Sequence, residues 1–503
     1  MNVVIFSDVN GILGFGRYGG AYKVATELRL AGFTVQVVEF FADLSLEQIR
    51  VIADKFVGKD TLFVGFATTL MIKKTDEDGI SRLDVTRQNR NSGHLPHNND
   101  FVEEMFAIFK RKNPAVKIVI GGGKASVTTL QGVDFWLWGY ADRSIIALAQ
   151  HLAGNGQLTT KPGRTGTVVT GQDYPYRDYS TSKIVWQAND YVFPGEHLPV
   201  EIDRGCIFRC TFCANTLFKN FGEFAKDPRS LRDELMYNYD NFGTTGYMFC
   251  DDTSNDSQEK VERLHPVLTS LPFELEWTGF ARVDVIYGHK LQRELLRESG
   301  VRALLFGIET FHPVAGKGVS KGLDPDKVKD TLYYLRETWK GKVTMTGSFI
   351  VGLPGEPEDS IWRTVEWLKQ PDCPLDNAIF SAMNIRAMND NPNAPMSKIQ
   401  ADPEKYGYKI VGPAPGTGIS TDGPFWTNEF MDKRRAAEMV AEIHKSHLKA
   451  PPIADWAIYS RLRSLGFSHE QVVNKRSSDS EFRDDAIVRR NTMRSQYIEH
   501  LLQ

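Results

Sequence analysis

Cysteine is scarce in this chain: five in 503 residues, three of them between positions 206 and 213. That scarcity excludes a disulfide scaffold and suits a reducing compartment. The other two, Cys250 and Cys373, stand alone, so no second CxxC-type pair exists to complete a four-ligand zinc site. Charge of one sign is lacking too. The net charge of −3 supplies no global field toward nucleic acid or membrane. There is no apolar run long enough to span a bilayer. Met1-Asn-Val-Val-Ile-Phe6 reads as a strand, not as a leader with a basic n-region. The expectation is a cytoplasmic protein with no membrane partner. Apolar content of 41% and charged content of 24% suit globular domains with large cores.

Residues 1 to about 155 alternate short apolar strands with helices. Strands are expected at 3–6, 35–38, 62–67, 116–120 and 133–137. Helices are expected at 18–31, after the Ser45-x-x-Gln48 capping box, at 101–109 and at 143–152. Residues 70–97 are polar and read as a long loop. This alternation predicts an α/β doubly wound parallel sheet, with ligands beyond the strand C-termini. Gly14-Phe-Gly16-Arg-Tyr-Gly19 is a literal GxGxxG with Glu39 twenty residues on, the pattern of a dinucleotide site. Seven residues separate it from the first strand, where such a loop should follow at once. Residues 156–195, rich in Thr, Gly, Pro and Tyr, read as a linker.

The second half repeats the alternation, with strands expected near 198–202, 246–249, 275–280, 303–309, 345–352 and 378–383. Six βα units predict a partial (β/α)6 barrel with functional groups at strand C-termini. At the first of these ends lies Cys206-Ile-Phe-Arg-Cys210-Thr-Phe-Cys213. Three thiolates so close can wrap one metal centre. Iron–sulfur clusters usually take four cysteines, so three leave one iron open.

This spacing resembles the radical SAM superfamily. The resemblance implies a four-iron four-sulfur (4Fe-4S) cluster on Cys206, Cys210 and Cys213. It implies S-adenosylmethionine (SAM) at the open iron, cleaved to a 5′-deoxyadenosyl radical that activates a substrate C–H bond. Phe212 matches an aromatic preference of that loop. Phe306-Gly-Ile-Glu309-Thr310 and Phe349-Ile-Val-Gly352-Leu-Pro-Gly355-Glu356 resemble two further strand signatures of the family. Carried over residue by residue, Arg282 and Glu309 would contact SAM, Gly352 would pack near its adenine, and Asp251-Asp252 would replace the usual Gly-Gly-Glu. The first half resembles the cobalamin (B12)-binding-type domain that often precedes such a barrel, through Gly65–Thr69, Gly121-Gly122-Gly123, and Val133-Asp134 leading to Gly139-Tyr-Ala-Asp142. Gly121 to Gly123 would let a planar ligand approach the backbone. The axial motif Asp-x-His-x-x-Gly is absent, and no histidine precedes His94. Leu13, Arg17 and Tyr18 are then the candidates to cover the lower face of a corrinoid.

The expected divisions are a B12-binding-like domain at 1–155, a linker at 156–195, the radical SAM barrel at 196–395 and a mostly helical region at 396–503. The last contains an amphipathic helix at 432–444, with His444 and His447 three apart. Its arginines and lysines, Arg461 to Arg494, are interleaved with acids and read as a solvated surface. The implied reaction is cobalamin-dependent methyl transfer, with a cobalamin-independent rearrangement or cyclisation (isomerase or mutase type) as the alternative. The substrate would be a small molecule or a modified nucleoside or nucleic-acid base, and the reductant a flavodoxin or ferredoxin. A reading of another class is a zinc-stapled nucleotide-binding module without catalysis.

Overall fold

The computed structural model describes the chain except for residues 10–12, 68–71, 76–80, 85–98, 123–130, 164, 177, 214–224, 386–396, 413–424 and 447–452. Gly123, Thr68, Thr69 and His447 lie outside the described residues.

The first sheet is built from β1 (Asn2–Phe6), β2 (Thr34–Val38), β3 (Thr61–Ala67), β6 (Lys117–Gly121), β7 (Phe135–Trp138), β8 (Lys161–Pro162) and β9 (Thr167–Thr170). Its order is β2-β1-β3-β6-β7-β9-β8, parallel except for the β8–β9 pair. Four helices alternate with these strands: α1 (Gly19–Leu30), α2 (Leu46–Phe56), α3 (Asn99–Lys112) and α4 (Ser144–Leu152). The Ser45 hydroxyl accepts from Gln48 N while the Gln48 side chain accepts from Ser45 N, the predicted capping box. Two expectations are corrected. The stretch 70–97 holds an antiparallel pair, β4 (Ile72–Thr75) with β5 (Ser81–Asp84). The stretch 156–195 is no free linker: Thr167–Thr170 pairs with β7 and extends the sheet. Four residues, Thr-Val-Val-Thr, are too few for periodicity to reveal, but they are β-branched throughout.

The second sheet has six parallel strands in chain order, β10 (Leu198–Val200), β11 (Gly246–Phe249), β12 (Glu276–Ala281), β13 (Val301–Glu309), β14 (Thr344–Val351) and β15 (Asn377–Ala382). Between them run α5 (Pro228–Phe242), α6 (Gln258–Thr269), α7 (Val283–Gly288), α8 (Gln292–Glu298), α9 (Pro313–Gly318), α10 (Pro325–Thr338) and α11 (Glu358–Leu368). Local chemistry sets the ends. Asp227 caps α5 ahead of Pro228, and Gly243 ends it at φ +66°.

The last region comprises α12 (Lys398–Ala401), the hairpin β16 (Lys409–Gly412) with β17 (Phe425–Thr427), α13 (Lys433–Lys445), α14 (Trp456–Ser464), α15 (His469–Asn474) and α16 (Ser480–Leu502). It is not a detached cap. On β12, alternate residues face opposite ways. Trp277 stacks on Phe249 toward the flanking helices, while Thr278 meets Ser460 (3.2 Å) and Phe280 packs on Trp456. Helix α14 thus lies on the inner face of the barrel, against β11 to β14. The same alternation splits the first sheet. Val3 and Ile5 join the core shared with the barrel, and Val4 and Phe6 join one completed by Tyr459, Leu462, Tyr497 and Leu501. Each such fully buried aliphatic or Phe side chain contributes roughly 1.5–3 kcal/mol.

The tail also corrects its sequence reading. Arg490 and Arg494 are buried, not solvated. Arg494 pairs with Asp43 and lies over the Phe40 ring, and Tyr497 Oη accepts from Glu39 N at 2.9 Å. Only the outward members, such as Lys475 with Asp479 and Arg489 with Asp485, form the expected surface pairs. Among the described residues no helix is long and apolar enough to cross a membrane.

Candidate active site

Parallel strands in one sheet bring their C-terminal ends to one edge. The cysteine loop follows β10. Asp251 and Asp252 follow β11, Arg282 ends β12, Glu309 closes β13, and Gly352 follows β14. The structure therefore collects most of the expected barrel residues along one rim.

The loop leading to Cys206 is pinned residue by residue. Asp251 Oδ1 accepts from Ile202 N (2.7 Å) and Asp203 N (2.9 Å). Burial holds that carboxyl well above its ordinary range. Asp251 thus serves the loop backbone. Lys260, fully buried on α6, pairs with Asp203 and donates to Thr253 O (2.8 Å). Arg204 forks onto Glu201 and Asp142. Gly205, at φ +105°, turns the chain between Arg204 and Cys206. Cys206 Sγ lies 3.7 Å from Thr253 Oγ1, and Asp252 is among the charges that raise its thiol after burial itself.

Arg282 donates to Cys210 Sγ at 3.2 Å, forks onto Asp284 and covers the Phe208 ring at 3.8 Å. Burial works against its charge, but Asp284 and the Cys210 sulfur outweigh that and raise its pKa. Glu309 sits at φ +69°, a left-handed conformation that costs a non-glycine residue about 1–3 kcal/mol. Its carboxyl is raised by burial, against the pull of Lys321, whose Nζ is 3.7 Å away. Phe212 is half-buried and packs on the main core. The Gly352 carbonyl accepts from Tyr408 Oη (2.7 Å) and Asn428 Nδ2 (3.2 Å), so the C-terminal region clasps this strand end.

At the other sheet, Gly121 ends β6, and Gly122 is exposed at φ +93°. Among the described residues, a Cβ at Gly121 would meet the Leu137 side chain at 3.6 Å. The GxGxxG loop leaves no room for a ligand close to its backbone. A Cβ at Gly14 would collide with Arg461, and Phe15 N donates to Arg461 O (3.0 Å). These glycines admit helix α14, and the dinucleotide reading is withdrawn. Arg17 is also spoken for. Completely buried, it bonds Glu196 (2.7 Å), Tyr22 Oη (2.9 Å), Asp190 O (2.7 Å) and Tyr191 O (2.6 Å), so it cannot cover a corrinoid's lower face.

Among the described residues, no three His, Cys, Asp or Glu side chains converge as ligands of one ion. Tetrahedral zinc needs that convergence. A cluster spreads its thiolates over separate irons, so the three-cysteine loop fits a cluster and gives the zinc staple no support. Sequence reading missed Arg204, Lys260, Thr253 and Asp284. Arg204 was adjacent to the motif and could have been flagged by position. The others become visible only once two strand ends are side by side.

Residues 200–368 match the radical SAM superfamily. The match takes in the cysteine loop and strands β11 to β14, behind the parallel first sheet. The fold of the whole chain has solved counterparts. It resembles TsrM from Kitasatospora setae, solved with tryptophan substrate and a SAM analogue, at 14% identity over 98% of this chain and 99% of that one (TM-score 0.64). It resembles OxsB, solved with aqua-cobalamin and SAM, at 12% identity over 97% of this chain and 72% of that one (TM-score 0.60). At these identities the likeness is one of fold. In sequence it is similar to the uncharacterized methyltransferase PH0819 of Pyrococcus horikoshii, 25% identical over 54% of this chain and 56% of that protein.

Proposed function

We propose that this protein is a cobalamin-dependent radical SAM methyltransferase. The observation that carries the proposal is the shared rim. The cysteine loop, Asp252, Arg282 and Glu309 stand on successive strand ends of one sheet, and Gly121–Gly122 stand at a strand end of the other. TsrM has been solved with cobalamin and a 4Fe-4S cluster, which supports carrying both groups over. Cys206, Cys210 and Cys213 would hold the cluster, Arg282 and Glu309 would orient SAM, and Gly121 and Gly122 would admit the corrinoid. Together these groups would supply one-electron cleavage of SAM and a transferable methyl group. The chain's own part is to bind, orient and shield. Arg282 presents positive charge to the Cys210 sulfur. Buried Asp251 and Lys260 fix the loop that carries Cys206. Helix α14 fills the inner face of the barrel, so substrate must approach from the rim. The working divisions remain 1–155, 196–395 and 396–503, with 156–195 now read as joined to the first.

A radical SAM enzyme needs a substrate and a reductant. Here we propose a flavodoxin or ferredoxin as donor and a small molecule or modified nucleoside as acceptor. Anaerobic reconstitution should give about four irons per chain, and reduction with SAM should release 5′-deoxyadenosine or demethylated SAM. The Cys206/Cys210/Cys213→Ala triple variant should bind no cluster iron; retained iron would sink the reading. The missing axial histidine motif favours a second reading, cobalamin-independent rearrangement. Growth with hydroxocobalamin decides between them. Corrinoid that co-purifies with wild type and is lost in Gly122→Phe supports methyl transfer, and wild type without corrinoid supports rearrangement.

A further inference from the structure

Three side chains hold the approach to Cys206, and two of them, Asp251 and Lys260, belong to the barrel. The third leaves it. Arg204, two residues before Cys206, sends Nη1 and Nη2 to Asp142 (2.7 and 3.2 Å), on the turn after β7 of the first sheet. Its Nε and Nη2 reach Glu201 (both 2.9 Å), and its guanidinium lies over the rings of Tyr140 (4.3 Å) and Tyr179 (4.8 Å). Both charged side chains of the Arg204–Asp142 pair are more than nine-tenths buried. Such a pair is geometrically strict, because a planar fork must meet a planar carboxylate.

The turn it grips is itself rigid. A Cβ at Gly171 would strike the Tyr140 carbonyl, so β9 backs directly onto it. The turn also borders the Gly121 edge, since β7 is the neighbour of β6, which ends at Gly121.

We propose that Arg204 is a positioning residue that couples the first sheet's ligand edge to the metal-binding loop, transmitting the placement of the Gly139–Asp142 turn to Cys206. This rests on the cluster reading above. Asp251 and Lys260 hold Ile202 and Asp203, upstream of Arg204, and Glu201 shares Arg204 from within the barrel, while Asp142 ties it to the first sheet.

The test uses the full reconstituted chain with Arg204→Lys, Asp142→Asn and the double variant. Iron content, the electron paramagnetic resonance spectrum of the reduced cluster, and SAM affinity are measured for each. The expected result is wild-type iron content with a displaced cluster spectrum and SAM affinity weaker by about tenfold in each single variant, the usual scale for groups that orient a metal ligand. The double variant should be no worse than the worse single one, as for partners in one interaction. Asp142→Glu, which keeps the carboxylate, should recover most of the effect. Should Arg204→Lys fail to fold, Asp142→Asn reads the same pair from the other domain. An Asp142→Asn chain with the wild-type spectrum and SAM affinity would overturn the coupling alone. A wild-type chain that takes up no cluster iron would overturn the reading beneath it and the coupling with it.

Discussion

At Gly352 the backbone sits at φ +95°, and the Trp426 ring lies 2.6 Å from where a Cβ would stand. Gly352→Ala therefore faces both backbone strain and a clash with a ring fixed by its own bond to Met383 O. We expect a loss of about 2–4 kcal/mol, read as a lowered urea midpoint with unchanged slope. Four residues on, Glu356 is buried, its Oε1 accepting from Thr310 Oγ1 at 2.6 Å. Burial raises its pKa from 4.5 to about 7. The folded state thus holds a proton that the unfolded chain releases. The stability from this group is fully present below about pH 4 and is lost as pH rises to about 7, on the order of 3 kcal/mol in all. In Glu356→Gln that part of the slope should vanish when urea midpoints are compared between pH 5 and pH 8.

Among the elements, α14 and the Gly14–Gly19 loop depend on each other. Gly14→Ala, at φ +84° and against Arg461, should lower stability by about 2–4 kcal/mol, and NAD should produce no change in thermal midpoint. A midpoint raised by NAD would restore the dinucleotide reading. The strands and helices of both sheets were legible because each is long enough to show its period and is bounded by caps such as Ser45 or Gly243. The rim was legible because strand ends in a parallel sheet share an edge. Three things were hidden. Thr167–Thr170 is four residues beside glycine-rich turns. The glycines at 14 and 16 matched a phosphate loop in letters, while their reason lies some 450 residues downstream. Arg494 looked solvated because composition cannot tell that Asp43 and Phe40 await it. Long-range partners of a charged side chain leave no local periodicity to read.

For the molecule as a whole, the tail is common to both sheets: α14 fills the barrel while α16 packs on α2 and covers Phe40 beside the first sheet. Ending the chain after residue 452 should expose Phe40, which Arg494 and Tyr497 cover, together with the inner face of the barrel, which α14 fills. We expect that shortened chain to be recovered as aggregate, with neither sheet surviving as a separate unit by limited proteolysis. The wild type should unfold with the two sheets inseparable, the loss of cluster absorbance coinciding with the loss of helix signal. The placement of α16 has a consequence in time. Asp43 and its partner Arg494 are 451 residues apart, and synthesis proceeds at about 5–20 residues per second. The last strand of the first sheet ends at Thr170, 324 residues before Arg494, so the sheet waits on the order of 15–65 s, fully made but with Phe40 uncovered, until its last helix clears the ribosome. Completion of that contact comes late in synthesis, and a slower or colder cell lengthens the interval in which chaperones must guard Phe40.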